Sequence, residues 1–187
     1  MQNINAIQVA RQLLINKLCQ AGCIIDATAG NGNDTLFLAE TSVAAATIYA
    51  FDIQESAIVA TKEKTKKYSD KIHCILASHD CLDSYIDKPI DVAVFNLGYL
   101  PGGDHLLTTR ATTTLVALDK ILSRLSVNGL ISIVAYPGHA AGNDEYEQLA
   151  IRLADLPRSI FTVGCYKMIN HKETSPVLYM IEKVRSE

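Results

Sequence analysis

The sequence predicts an α/β fold, in which a mostly parallel sheet carries helices on both faces and ends in an antiparallel hairpin. Strand-like and helix-like stretches alternate along nearly the whole chain, as is typical of a parallel sheet. The apolar run that begins at Ile24 passes through Gly30-Asn31-Gly32 into a helix, and this sequence of elements makes a nucleotide-sized cradle. Two final β-rich runs, residues 159–168 and 177–184, have no helix between them and should pair antiparallel.

Length and composition indicate a globular protein. We expect the 187 residues to form one domain spanning 1–187, with 49% hydrophobic and 20% charged residues. The five cysteines are odd in number and lack C-x-x-C spacing, which favours free thiols in a reducing compartment. The N-terminus does not resemble a signal peptide, and no apolar run reaches the roughly 18 residues of a membrane helix. We therefore expect a soluble cytoplasmic protein without membrane contact, and the oligomeric state stays open, a homodimer included.

The first half of the chain predicts an N-terminal helix followed by four strands with helices between them. The helix is indicated by apolar residues at helical spacing, namely Ile7, Ala10, Leu14 and Leu18. After the first strand we predict a helix over 33–41, a strand over 47–53, a helix over 55–68, a strand over 72–77, a short helix over 81–86 and a strand over 90–96.

The second half predicts a long helix, a fifth strand and one more helix before the hairpin. The long helix is indicated by Leu115, Leu118, Leu122 and Leu125. It should end before Asn128-Gly129, so that residues 130–135 form the fifth strand. The last helix, over 143–155, should end before Pro157.

The glycine turn after the first strand does not favour a dinucleotide. A pyrophosphate site follows G-x-G-x-x-G, but the third glycine position is occupied by Thr35. The turn instead offers groups suited to an ammonium and a carboxylate on one ligand, namely Asp26, Thr28, Asn31, Asn33 and Asp34. The amino-acid end of S-adenosylmethionine (AdoMet) carries both. A second apolar strand then ends at Asp52, where a carboxylate can bind ribose hydroxyls.

The spacing of Asp26, Gly30 and Gly32, followed by the strand-end acid Asp52, resembles motifs I and II of class I AdoMet-dependent methyltransferases. The Rossmann-like sheet of that class is mostly parallel and closes with an antiparallel hairpin, as the end of this chain independently predicts. The resemblance therefore implies AdoMet as the cofactor. The alternative is a glycine turn in an α/β domain that binds no ligand.

Polar residues also follow the third, fourth and fifth strands, at the edge of the sheet where ligands of α/β proteins bind. Ser78, His79 and Asp80 stand where a class I methyltransferase contacts adenine, although Ser78 or Asp80 could simply cap a helix. Asn96-Leu-Gly-Tyr99 resembles the Asn-Pro-Pro-Tyr motif of enzymes that methylate nitrogen, without its prolines. The alternative is an ordinary loop in which Tyr99 packs into the core.

Four histidines fall in predicted loops and raise the question of a metal site: His79, His105, His139 and His171. Their separations match no known ligand spacing, and methyl transfer needs no metal. We therefore predict contacts to substrate or cofactor and no metal site.

Several motifs together resemble one family within the superfamily, the YtqB-like (MnmM-type) rRNA methylases. These are DATAGNGND, FDIQ, ASHD, NLGYLPGGDH, YPGH and the terminal IEK, so the resemblance covers nearly the full chain. It implies cofactor contacts from Asn31, Asn33, Asp52, Gln54, Ser78 and His79. It implies an acceptor pocket formed by Asn96, Tyr99, Asp104, His105, Tyr136 and His139, in which Asp104 and His105 are candidates by position for taking up a proton.

The family resemblance implies an N-methyltransferase that acts on the tRNA wobble uridine and converts 5-aminomethyl-2-thiouridine to 5-methylaminomethyl-2-thiouridine. Its partner would be the tRNA anticodon loop. Two alternatives stay open: a methyltransferase of a small amine metabolite or of rRNA, and a nucleotide-responsive protein with no catalytic role. The net charge of −3 argues against nonspecific coating of nucleic acid, and the lysines between 62 and 71 are more typical of a solvated helix face.

Overall fold

The computed structural model describes residues 5–98, 109–138 and 140–186 and contains a seven-stranded sheet. The strands are β1 (Cys23–Asp26), β2 (Thr47–Asp52), β3 (Ile72–Leu76), β4 (Ile90–Asn96), β5 (Leu125–Ala135), β6 (Phe161–Tyr166) and β7 (Val177–Lys183). Their spatial order is β3-β2-β1-β4-β5-β7-β6, with β1 to β5 parallel and β7 antiparallel to both β5 and β6. The predicted α/β sheet with its C-terminal hairpin is confirmed.

Five α-helices cover the two faces of the sheet within the described residues. They are α1 (Ala6–Leu18), α2 (Asn33–Thr41), α3 (Glu55–Lys64), α4 (Ala111–Arg124) and α5 (Ala140–Ala154). None of the helices in this part of the chain combines the length and the apolar content needed to cross a membrane.

Alternation along the strands divides the core into two layers, because successive side chains point to opposite faces. Ile24 and Val92 pack with Leu14 of α1 and Leu38 of α2 on one face. Their neighbours in sequence, such as Ile25, pack on the other face with Leu118, Leu122 and Leu149 of α4 and α5. Continuous apolar strands are thereby buried on both sides, as a parallel sheet requires.

The α1 helix begins with a side-chain cap. Asn5 is the N-cap and accepts a hydrogen bond from the Gln8 backbone N–H, at 2.9 Å, with its side-chain oxygen. Of the predicted apolar stripe, Ala10, Leu14 and Leu18 are buried. Because α1 packs beside α2, it stands next to the glycine turn that follows β1.

Three predicted helices have other bounds or geometry in the structure. The helix predicted over 55–68 stops at Lys64 and continues as a 3₁₀ segment, Lys66–Lys71, in which Tyr68 has non-helical backbone angles. At the junction, the Thr65 hydroxyl donates to the Thr61 carbonyl at 2.7 Å. The short helix predicted over 81–86 is a 3₁₀ segment, His79–Ser84. The last helix begins at Ala140 rather than at 143.

The prediction that the long helix runs on to Asn128-Gly129 is wrong. It ends at Arg124, because Leu125 is already extended and pairs with Ile90. The register then shifts, so that the next pair is Val92 with Leu130, and Asn128 takes a φ of 62° in between. This bulge lengthens β5 to eleven residues.

Candidate active site

The candidate site lies at the carboxyl edge of the parallel strands, where the strand order reverses between β1 and β4. The turn after β1 is fixed to both neighbouring strands. The Ala27 N–H donates to the Val94 carbonyl and the Ala29 N–H donates to the Phe51 carbonyl, each at 2.9 Å. Backbone hydrogen bonds to β2 and β4 therefore fix the position of the turn.

Both glycines of the turn need their conformational freedom. Gly30 has a φ of 51° and Gly32 a φ of 75°, values that L side chains rarely adopt. At Gly32 there is also no room, since a Cβ atom would lie 2.9 Å from the Thr61 Cα atom of α3. Thr61 further donates its hydroxyl to the Gly30 carbonyl at 3.1 Å, which ties α3 to the turn.

Asp52 at the end of β2 holds two backbone segments of the predicted cofactor site. One carboxylate oxygen accepts the Gly30 N–H and the other accepts the Gln54 N–H, each at 2.9 Å. A carboxylate has further lone pairs beyond these two, so the predicted ribose contact is chemically open to it. The structure thus brings Asp52, Gln54 and the glycine turn together.

Asp26, which ends β1, lies beneath the turn rather than on its surface. It is fully buried, accepts the Thr28 N–H at 3.1 Å and accepts the Thr35 hydroxyl at 2.6 Å. Burial, followed by the negative charge of Asp34, raises the pKa of this carboxyl to about 7. Asp26 stabilises the turn through its hydrogen bonds with Thr28 and Thr35.

The segment after β3 places His79 deep in the same region. Its Nδ1 atom lies 2.9 Å from the Ala27 carbonyl, which can only accept, so Nδ1 carries the proton. Burial lowers the pKa of this imidazole and keeps it neutral. The Nε2 atom is buried and has no hydrogen-bond partner among the described residues. Ser78 occupies the N-cap position without a side-chain capping bond, and Asp80 is half-buried.

Asn96 at the end of β4 is held from two sides. Its backbone N–H donates to the Thr28 hydroxyl at 2.8 Å, and its side-chain Nδ2 donates to Asp34 Oδ2 at 3.3 Å. Because a carboxylate oxygen only accepts, the amide orientation follows from this contact. The carbonyl Oδ1 is therefore the side-chain atom of Asn96 that can accept a hydrogen bond from a substrate.

Arg11 of α1 binds the other oxygen of Asp34. Its Nη2 and Nε atoms lie 2.8 and 3.2 Å from Asp34 Oδ1, and Nη2 also donates to the Asn33 carbonyl at 3.1 Å. The guanidinium stacks 5.0 Å from the centre of the Phe37 ring. Asn33 itself accepts from Lys64 Nζ at 2.5 Å. Sequence reasoning missed Arg11, because a helical arginine is ordinarily a surface residue.

Tyr136, directly after β5, lies on the acceptor side of this cluster. Burial and the nearby Asp34 charge raise the pKa of its phenol to about 12, so the hydroxyl stays protonated and can donate. A Cβ atom at Gly98 would lie 4.0 Å from the Tyr136 ring, so the segment after β4 passes beside it. Tyr136 thus lies beside the segment that follows Asn96.

Four residues after β4, namely Gly98, Thr109, Thr114 and Glu145, form a hydrogen-bonded cluster that we call the polar clasp. Gly98 and Thr109 are joined by two hydrogen bonds, of 2.8 and 3.0 Å. Thr109 and Thr114 each donate a hydroxyl to the buried carboxylate of Glu145, at 2.6 Å. The predicted site residues Tyr99, Asp104, His105 and His139 lie outside the described residues. The clasp was not predicted, since its members are up to 47 positions apart (98 to 145).

Two apolar side chains at the same edge were also missed. Ile53 directly follows β2 and is 56% exposed. Leu76 is the last residue of β3 and is 53% exposed. Exposed apolar side chains beside Asp52 provide a surface against which the flat face of a nucleobase can pack. Within the described ranges, no group of three or more His, Cys, Asp or Glu residues could hold a metal ion.

Comparison with known proteins identifies the family. Residues 48–182 match the family described as "Putative rRNA methylase". The chain belongs to this rRNA methylase family. A relative from Arabidopsis thaliana, named as a chloroplastic tRNA (mnm(5)s(2)U34)-methyltransferase, is 32% identical over 95% of this chain and 69% of its own length. The predicted family resemblance is therefore confirmed.

Solved structures agree with the assignment to the rRNA methylase family. A "putative rRNA-methylase" from Clostridium thermocellum has a TM-score of 0.94 and 35% identity, covering 98% of this chain and all of the other. A "putative methyltransferase" from Streptococcus mutans, solved with S-adenosylhomocysteine, has a TM-score of 0.87 and 36% identity over 97% of this chain and 99% of its own. The predictions of a class I fold, of methyltransferase activity and of AdoMet as methyl donor are confirmed.

Proposed function

We propose that the enzyme methylates the aminomethyl nitrogen of a tRNA wobble uridine, converting 5-aminomethyl-2-thiouridine to 5-methylaminomethyl-2-thiouridine. The observation that carries this proposal is the orientation of Asn96, whose Nδ2 is engaged by Asp34 so that its carbonyl is left to accept. A carbonyl acceptor suits an amine, which must offer an N–H while its lone pair points at the methyl group. The name of the A. thaliana relative supports the same class of substrate.

The reaction is an in-line displacement. The neutral amine nitrogen gives its lone pair to the sulfonium methyl group, a C–N bond forms, and the C–S bond breaks with its electrons passing to sulfur. The products are S-adenosylhomocysteine and a secondary ammonium, which then loses one proton. Because charge is dispersed in this transition state, the enzyme contributes mainly by alignment and by excluding water.

We assign the cofactor to the cradle formed by the glycine turn, Asp52 and Gln54. The cofactor contacts predicted from the sequence are Asp26, Thr28, Gly30, Asn31, Gly32, Asn33, Asp34, Asp52, Gln54, Ser78, His79 and Asp80. The buried positions of Asp26 and His79 favour supporting roles for these two, beneath the ligand. The contacts of Asp34 with Arg11 and Asn96 likewise favour a supporting role for Asp34 rather than a direct cofactor contact. Ile53 and Leu76 add an apolar surface for the adenine.

The acceptor side consists of Asn96 and Tyr136, together with the predicted residues Tyr99, Asp104, His105 and His139. Asn96 would accept the amine N–H, and the protonated Tyr136 hydroxyl could donate to a base-edge oxygen. Single-stranded loop bases are ordinarily recognised by such edge contacts and by aromatic stacking. Asp104 and His105 stay the candidates for receiving the proton.

The decisive experiment is mass spectrometry of nucleosides from RNA incubated with the enzyme and AdoMet. We expect one added methyl group on tRNA that carries the aminomethyl wobble uridine and none on tRNA whose uridine lacks the amine. Ribosomal RNA and free small amines are the competing acceptors. Equal methylation of unmodified tRNA, or methylation of rRNA instead, would show that the wobble amine is not the substrate.

Matched variants test the residues. Asn96→Ala and Tyr99→Ala should lose methyl transfer while keeping AdoMet affinity within about threefold, because both act on the acceptor. The control is Asn143→Ala, which removes an exposed asparagine whose side chain binds Glu147 on α5. Full activity of both site variants would contradict the assignment of this pocket.

A further inference from the structure

We infer that Arg11 and Asp34 form a positioning pair that fixes the Asn96 amide and neutralises the carboxylate beside the acceptor amine. This rests on the proposed function, and it extends that function to a residue of the N-terminal helix. The contacts form one continuous chain. The guanidinium binds Asp34 Oδ1 with two nitrogens, and Asp34 Oδ2 binds Asn96 Nδ2.

The first role of the pair is orientation. An asparagine amide can turn over and exchange its donor for its acceptor at almost no steric cost. Asp34 prevents this, because only the Nδ2 end of Asn96 can face a carboxylate. Arg11 in turn is held in place by the Phe37 ring and by the Asn33 carbonyl. The orientation of the Asn96 amide therefore depends on the packing of α1 against α2.

The second role is electrostatic. An amine hydrogen-bonded to Asn96 Oδ1 would be separated from the Asp34 carboxylate only by the Asn96 amide group, whose Nδ2 binds that carboxylate. A bare carboxylate at that distance would stabilise ammonium, which has no lone pair and cannot attack the methyl group. The Arg11 guanidinium cancels this charge. The pair lines a small cavity whose other walls are mostly apolar, including Leu14, Phe37 and Val94. The side chains of Arg11 and Asp34 are 34% and 18% exposed, so solvent screens their charges only in part.

The other charged or titratable groups around Asp34 do not replace Arg11. From β1, Asp26 adds at most part of a negative charge near neutral pH, because its pKa is raised to about 7, and the Tyr136 phenol after β5 stays neutral. From α3, Lys64 is exposed and binds the Asn33 side chain. Asn96 from β4 is uncharged. The guanidinium is thus the cation in direct contact with this carboxylate among the described residues.

Three substitutions separate the two roles. Asp34→Asn is isosteric, but with Arg11 on its oxygen it would turn its NH₂ group toward Asn96 and so invert the Asn96 amide. Arg11→Met keeps roughly the length of the side chain and removes both its charge and its N–H donors. Arg11→Lys keeps the charge and loses the two-nitrogen contact.

The control is Arg152→Met. Arg152 binds Asp119 Oδ1 with two nitrogens, at 2.9 and 2.8 Å, on the surface of α5 and α4. It matches the geometry of the Arg11 contact away from the site. A general effect of losing an arginine–aspartate pair would therefore be seen in this variant too.

The measurements are kcat and KM on tRNA with the aminomethyl uridine, their pH profiles, and the affinity for S-adenosylhomocysteine by calorimetry. We expect Asp34→Asn and Arg11→Met to lower kcat about 10- to 100-fold, with S-adenosylhomocysteine affinity within about threefold. The kcat loss of Arg11→Met should shrink as the pH rises, because high pH deprotonates the amine. Arg11→Lys should keep the wild-type pH profile.

Two results would overturn the inference alone: an unmoved pH profile in Arg11→Met, or losses of S-adenosylhomocysteine affinity that parallel the losses of kcat. The second would make Asp34 a cofactor ligand instead. Wild-type enzyme that binds S-adenosylhomocysteine but does not methylate this tRNA would overturn the proposed function and this inference together.

Discussion

Asp52 uses both of its carboxylate oxygens, one on the Gly30 N–H and one on the Gln54 N–H. Asp52→Ala removes both acceptors and the predicted ribose contact. Charged hydrogen bonds contribute about 1.5 to 3 kcal/mol, so we expect AdoMet affinity to fall roughly tenfold or more. Calorimetry measures the affinity, with the exposed Asp119→Ala as control. Unchanged affinity in a folded Asp52→Ala variant would exclude Asp52 from the cofactor site.

Asp26 should make the folded protein less stable as the pH rises, whereas most carboxyl groups in folded proteins have the opposite effect. Its pKa is raised to about 7 when folded, against an ordinary value of 3.8, chiefly by burial. The folded state thus holds this proton more tightly, so the stabilisation is complete below about pH 4 and is lost as the pH rises toward 7. The slope from this group is at most about 1.4 kcal/mol per pH unit.

Asp26→Asn tests this pH dependence, because the amide keeps an acceptor for the Thr28 N–H and does not titrate. We expect its free energy of unfolding to decline less than that of wild type between pH 5 and pH 8. Urea denaturation at the two pH values gives the comparison. Identical pH dependence in both proteins would show that Asp26 titrates in the ordinary range.

The sequence predicts residues that belong to a motif of recognisable spacing and misses those that do not. Gly30, Gly32 and Asp52 belong to such a motif, although Asp52 binds the Gly30 N–H across 22 positions of the chain. Arg11 has its partner Asp34 in another element, 23 positions away (34 − 11). Nothing in the pattern of α1 distinguishes an arginine that turns inward from one that faces water.

At the scale of elements, the contact of α2 and α3 at Gly32 decides whether the cradle forms. Gly32→Val would place a Cβ atom 2.9 Å from the Thr61 Cα atom and force a left-handed conformation on a branched residue. We expect AdoMet binding to be abolished while the β6–β7 hairpin stays intact. Calorimetry measures the first and hydrogen exchange of the hairpin amides the second.

Gly164→Val is the matched control for that substitution. Gly164 lies in β6, and a Cβ atom there would come no closer than 4.0 Å to the Met180 carbonyl. It should bind AdoMet as wild type does. Normal AdoMet binding by Gly32→Val would mean that the cradle lies elsewhere.

Element boundaries were predictable where a local signal sets them. β4 and α2 begin and end where the sequence predicts, because an apolar run and a glycine turn delimit them. The end of α4 is set differently. Leu125 has helical spacing after Leu122, yet pairing with Ile90 of β4 draws it into the sheet. A tertiary contact overrides local periodicity there, and sequence alone does not reveal it.

At the scale of the molecule, topology places the loop between β6 and β7, residues 167–176, beside the acceptor side. Because β7 is antiparallel to β5, it begins opposite Ala135, next to the loop that carries Tyr136. A Cβ atom at Gly138 would lie 3.6 Å from the Thr174 carbonyl, so the two loops touch.

The same loop carries side chains suited to RNA. Its backbone forms two turns, closed by the His171 N–H on the Met168 carbonyl and the Ser175 N–H on the Lys172 carbonyl. Ile169 stands at the tip and is 95% exposed. Lys167 and Lys172 are exposed on either side, with one acid, Glu173, at the end. If the proposed function holds, we expect this surface to contact the RNA beside the methylated base.

The double variant Lys167→Ala/Lys172→Ala should therefore raise the KM for tRNA and leave kcat and S-adenosylhomocysteine affinity unchanged. Two phosphate contacts to single-stranded RNA should make wild-type tRNA affinity fall roughly sevenfold more than that of the variant between about 50 and 200 mM salt. Lys62→Ala/Lys66→Ala removes two exposed lysines near the start of β3, at the opposite edge of the sheet. Equal KM values and equal salt dependence in the two double variants would exclude this loop as the RNA contact, because loss of positive charge alone would then explain both.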